Sequence, residues 1–197
     1  MKRPLSLFLL CAVLLSLLLP AQAAGPAGGV SVYFFQESTG LYGCLTDTDR
    51  VNLTLNGQAL EAQDAPALVQ YLPGESSGRT LVPVRLVSEA LGADVVWVPD
   101  TRQVLLLREG STIVLTLGSA TAVVDGQSVQ LPDGVPAGVV KYEGRESTMV
   151  PLRFVSEQLG AQVAWDGATF TAVLTNQVQP EPTPTPEPSP EPTPGPS

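Results

Sequence analysis

One stretch of this chain occurs twice. Val82 to Trp97 reads VPVRLVSEALGADVVW, and Val150 to Trp165 reads VPLRFVSEQLGAQVAW. Eleven of the 16 positions are identical at a constant offset of 68. The likeness runs outward: Thr80 matches Thr148, Thr101 matches Thr169, and Asn56-Gly57-Gln58 matches Asp125-Gly126-Gln127 with the offset slipping by one. A fold for this sequence must therefore accommodate two copies of one unit.

Each copy has the same local grammar. Val51 to Leu55 and Ser119 to Val124 alternate apolar and polar residues, then reach Asn-Gly or Asp-Gly. Those dipeptides favour the tight turn in which both central residues take positive φ, so each copy opens with a hairpin. Pro83 and Pro151 suit the first position of a helix, where the missing N–H costs nothing. Val84, Val87 and Leu91 then recur at helical spacing, as do Leu152, Val155 and Leu159. Gly92 and Gly160 end the helices. About nine residues do not make a helix that is stable alone, so each must pack on a sheet. A strand ending in tryptophan, a turn and a second strand follow. Val32 to Phe35 supplies a leading strand and Ser111 to Leu117 a bridging one. The expected class is α+β: twisted antiparallel β-sheets packed on two short α-helices, built from a duplicated ββαββ-like unit.

The boundaries follow from composition. Residues 1–23 have the layout of a secretory signal peptide: Lys2 and Arg3, a leucine-rich run of about 15 residues, Pro20, then Ala21-Gln22-Ala23. The run is shorter than the roughly 20 residues a spanning helix needs. Export with cleavage after Ala23 is expected, with no stable membrane insertion afterwards. Residues 24–50 form an N-terminal segment with the leading strand, 51–118 the first copy and 119–176 the second. Residues 177–197 form a tail in which every second residue from Pro180 to Pro196 is proline. Such a segment favours extended polyproline II; it is either a wall-spanning spacer or a remnant linker.

Charge and residue usage exclude several functions. The net charge is -9, with only two lysines, Lys2 and Lys141, so nucleic acid is not an expected partner. No histidine is present, which removes the commonest general base and metal ligand. Neither metal nor cofactor is expected. After cleavage Cys44 is the remaining cysteine, too few for an internal disulfide.

The repeated Val-Pro-x-Arg-x-Val-Ser-Glu-x-Leu-Gly-Ala-x-Val-x-Trp resembles the copper amine oxidase N-terminal-like, or stalk, domain family over about Val51 to Thr175. The resemblance implies a small non-catalytic domain with a twisted antiparallel sheet wrapped on a helix, in exported bacterial proteins. It implies no catalytic residues and no copper. The expectation is an exported, non-enzymatic cell-envelope module, secreted or envelope-associated, that binds a cell-wall polymer or a surface protein. The alternatives are a structural spacer and, further off, a carboxylate-based glycan hydrolase, which needs no histidine.

The motif residues are the candidate positions: Pro83, Arg85, Glu89, Gly92 and Trp97, with Pro151, Arg153, Glu157, Gly160 and Trp165. Both tryptophans are expected in the core, the alternative being an aromatic binding face. Arg85–Glu89 and Arg153–Glu157 run in the less favourable order for a helical ion pair. A tertiary structural role for the arginines is therefore expected, with ligand binding as the alternative.

Overall fold

The structure is a computed structural model that describes residues 28–71 and 78–176. The expected signal peptide and proline-rich tail lie outside those residues.

The chain opens with β1 (Gly29–Gln36), β2 (Leu41–Leu55), β3 (Gln58–Ala59), β4 (Ala67–Tyr71) and β5 (Gly78–Pro83), then turns into α1 (Val84–Ala90). Next come β6 (Asp94–Val98), β7 (Gln103–Arg108), β8 (Ser111–Thr116), β9 (Thr121–Val124) and β10 (Gln127–Gln130). After a 3-10 turn at Pro132–Gly134 follow β11 (Gly138–Tyr142), β12 (Arg145–Pro151), α2 (Leu152–Gln158), β13 (Ala161–Asp166) and β14 (Thr171–Asn176).

The balanced α+β expectation is overturned. Of the described residues 59% are strand and 12% helical. Six strands, in the order β1-β11-β12-β5-β4-β2, close on themselves through the β1–β2 pairing into an antiparallel barrel. Outside it, β14 pairs parallel with β2 and carries β13, while β10-β9-β8-β7-β6 form a second sheet. The helices are shorter than expected, at seven residues each, and begin one residue later. Pro83 and Pro151 are the caps before them, with ψ of 123° and 117°, closing a strand rather than opening a helix. Much of the added strand is β2, which runs without a break across position 51, and the β4–β5 and β11–β12 hairpins of the barrel.

The helix ends follow from their glycines. Gly92 and Gly160 take φ of 81° and 74°, where an L side chain is disfavoured. After α1, the Ala93 N–H reaches the Ser88 carbonyl and the Gly92 N–H reaches that of Glu89, so orphan carbonyls are satisfied by a Schellman turn. At the end of α2, Arg108 of β7 donates to the Leu159 carbonyl, setting a cation at the negative end of the helix.

The two copies meet along β5 and β12, where Val82 pairs with Val150. These are equivalent residues of the repeat, flanked by Leu81 opposite Pro151 and Pro83 opposite Met149. An antiparallel pair centred on one residue facing its own equivalent, with Leu81 opposite Pro151 as Met149 is opposite Pro83, has local twofold symmetry, as at an isologous interface. Side chains alternate across it. Leu81 and Met149 point into the barrel with Val32, Leu68 and Val140. Val82 and Val150 point outward into a larger core with Val87, Leu106, Leu115 and Val155.

The symmetry is broken by β8. The direction β7→β9 is parallel, with β8 between them antiparallel to both. On the other side β14 pairs directly and in parallel with β2. The strand that links the copies thus has no counterpart within the described residues.

Candidate functional site

Two grooves lie at equivalent places about the Val82–Val150 axis. Each combines the helix start and tryptophan strand of one copy with a barrel hairpin of the other. The first, about 550 Å³, sets Arg85, Val95 and Trp97 against Val139 and Thr148. The second, about 610 Å³, sets Arg153, Val163 and Trp165 against Val69 and Thr80. Val139 pairs with Thr148, and Val69 with Thr80, so the two hairpins present the same cross-strand pair. A loop completes each groove: Glu61 to Asp64 in the first, Pro132 to Val135 in the second.

The tryptophans are not core residues. Trp97 is 39% exposed and Trp165 47% exposed. The reason is topological: β6 and β13 are the last strands of their sheets, and among the described residues no further strand pairs beyond them. Residues two apart share a face, so Val95 lies beside Trp97, and Val163 beside Trp165, in the lining.

The tertiary structural role expected for the arginines is also overturned. Arg85 and Arg153 are exposed. Arg153 approaches Glu157 at 3.9 Å across two exposed side chains. Among the described residues Arg85 has no hydrogen-bond or ion-pair partner. Both guanidinium groups face solvent at the grooves.

Of the remaining motif residues, Pro83, Glu89 and Pro151 also line the grooves, whereas Gly92, Gly160 and Glu157 do not. Ser88 and Ser156, at equivalent positions, are fully buried with hydroxyls that have no hydrogen-bond partner among the described residues.

The linings differ in charge. The first groove holds four carboxylates, Glu61, Asp64, Glu89 and Glu146, with one guanidinium, Arg85. The second holds Arg79 and Arg153 with one carboxylate, Asp133. Arg79 bonds Asp133, and this bond holds the Asp133 carboxyl below the usual carboxylate range, with the Arg153 charge adding to the effect.

They differ in aromatic content as well. Phe170 packs edge-on against Trp165 at 4.9 Å. Its φ is 52°, unusual for an aromatic residue. The turn before it is held by Asp166, which accepts bonds from the Ala168 N–H and the Thr169 hydroxyl. Arg102 occupies the equivalent turn position with φ 54°, but it turns away to pair with Glu37 at 2.7 Å and to stack on Phe35. Tyr71, bonded to Asp49, adds a third ring to the second groove. A Cβ built on Gly78 would meet a Val69 methyl at 2.0 Å, so Gly78 lets Val69 and Tyr71 lie against β5.

The repeat motif does not contain Tyr71, Arg79, Asp133, Glu146 or Phe170, and sequence reasoning missed them. The match of Thr80 to Thr148 was the available signal, since it makes Arg79 and Gly78 the equivalents of Ser147 and Glu146 in the duplicated hairpin.

Among the described residues, no three His, Cys, Asp or Glu side chains gather to hold a metal ion, and no helix is long and apolar enough to cross a membrane. A closed barrel carrying two open grooves defines a mostly β module that presents surfaces. Residues 54–174 match the family model described as the copper amine oxidase N-terminal domain, and the chain belongs to that family. The matched range takes in both Val82–Trp97 and Val150–Trp165. The domain that gives the family its name is a non-catalytic accessory part of copper amine oxidase. No curated protein compared with the chain matches it.

Proposed function

We propose that this chain is an exported, non-catalytic cell-envelope module that binds a wall component or a surface protein through its two grooves. The observation that carries the reading is the exposure of Trp97 and Trp165 beside unburied arginines. A half-exposed indole keeps apolar surface in water and gives it up to a partner, which is why tryptophan and arginine dominate binding energy at interfaces. A purely structural spacer has no use for that surface twice over.

The test is co-sedimentation of the full chain with purified peptidoglycan, beside capture of surface proteins from an envelope extract. Trp97→Ala and Trp165→Ala should each weaken binding about tenfold, the loss of roughly 1.4 kcal/mol from a moderate anchor. Their melting temperatures should stay near that of the parent. A chain that binds neither material is a spacer, and one that binds equally well without both indoles binds through a surface other than the grooves.

A further inference from the structure

We propose that the second groove is the docking site for this chain's own proline-rich segment, residues 180–196, taken up as an extended acidic peptide. The proposal rests on the reading above only in treating the groove as a binding surface.

The lining suits such a ligand. Proline-rich segments dock in aromatic-lined grooves because their extended helix is preformed and loses little entropy on binding. Trp165, Phe170 and Tyr71 supply the rings, and Pro132 and Pro151 add rigid apolar surface. The first groove has a single ring, Trp97, which has no ring partner among the described residues.

Charge selects the same groove. The segment's ionisable side chains are Glu181, Glu187 and Glu191. Three residues per turn places Glu181 and Glu187, six apart, on one side of the peptide about 19 Å from each other. The second groove offers Arg153, loosely held by Glu157, and the Arg79–Asp133 pair. The four carboxylates of the first groove repel the same peptide.

Reach is sufficient. Ala172, at the start of β14, lines the groove, and Asn176 ends that strand. Those four steps cover about 13 Å, and the four from Asn176 to Pro180 cover about as much. The chain can therefore double back and lay Pro180 and Glu181 at the groove. A tethered segment is present at an effective concentration on the order of mM, so weak affinity is enough to fill the site.

The test uses the full mature chain with Trp97→Phe, which leaves Trp165 as its one indole. Acrylamide quenching is compared between this protein and the same protein carrying E181K/E187K/E191K. The lysine tail should raise the quenching constant by about 1.5-fold, the change expected when a half-filled site empties. Adding R153E to the lysine tail should restore protection. Equal quenching with both tails overturns the proposal. Protection that fades on dilution also overturns it, because the bound tail then belongs to a second copy. Wall sedimentation of the lysine-tail protein separates the two readings: undiminished sedimentation without any tail effect rejects the docking alone, and a tail effect without sedimentation rejects the wall reading alone.

Discussion

The two grooves share a frame and differ in content. Both are made by one copy's helix start and tryptophan strand meeting the other copy's hairpin across Val82–Val150. The shared positions are those a corner needs: Pro83 and Pro151 turning strand into helix, Thr80 and Thr148 on the hairpins, and an arginine and a tryptophan facing out. The differing positions carry charge and rings. Glu146 in one groove stands where Gly78 stands in the other, and Ser147 where Arg79 stands. Duplication thus preserved the geometry while leaving the two linings with opposite charge, so a single ligand does not fit both equally.

The largest effects should fall on the shared frame, and equally on both halves. Leu91→Ala and Leu159→Ala remove equivalent side chains that are each 3% exposed. Each should cost about 2–5 kcal/mol in urea denaturation. A large cost at one site and none at the other breaks the equivalence.

The next effects should separate the grooves. Gly78→Ala drives a methyl toward Val69 and Tyr71 and should cost about 1–3 kcal/mol. Glu146→Ala at the equivalent exposed position should change stability by less than about 0.5 kcal/mol. Comparable costs would contradict the close packing of Val69 and Tyr71 over Gly78 that sets the two hairpins apart.

Acidification should sharpen the contrast further. The Asp133 carboxyl lies below its ordinary range because Arg79 bonds it. A depressed folded-state pKa gives stability that is present above the unfolded value of about 3.9 and is lost as pH falls through the folded one. The melting-temperature gap between the parent and Asp133→Asn should therefore be steady near neutrality and close progressively below about pH 4. A gap unchanged down to about pH 2 contradicts the ion pair.

The smallest effects should be those of the motif arginines on folding. Arg85→Ala and Arg153→Ala should each shift stability by less than about 0.5 kcal/mol, since both side chains face water. A loss of about 2 kcal/mol at either would restore a structural role of the kind expected when a partner is stranded.

Local features of the fold were legible because local rules govern them. Asn56-Gly57 and Asp125-Gly126 do turn hairpins, with φ near 50° and 81° at the paired positions. Gly92 and Gly160 end helices because a left-handed residue is needed there. Barrel closure was not legible. It depends on β1 joining β2 on one side and β11 on the other, and no short-range pattern announces a pairing between Tyr33 and Lys141. The tryptophans were misread for a related reason. An apolar residue on an alternating strand is read as inward-facing, but β6 and β13 are edges, and edge position is set by sheet order rather than by the strand's own residues. The arginines were misread because an unfavourable helical pairing suggested a buried partner, whereas their position at an open groove explains it without one.

The twofold meeting of the copies joins both grooves, and a cross-link tests it directly. Val82→Cys and Val150→Cys, in a chain with Cys11→Ser and Cys44→Ser, place two thiols directly opposite each other in an antiparallel pair. Facing residues there lie about 4.5–5.5 Å apart between Cα atoms, within the range a disulfide spans. Oxidative refolding should give an intramolecular disulfide in nearly every molecule, seen by mass and by loss of free thiol. Two free thiols in the folded oxidised protein would contradict the register, and with it the equivalence of the two grooves.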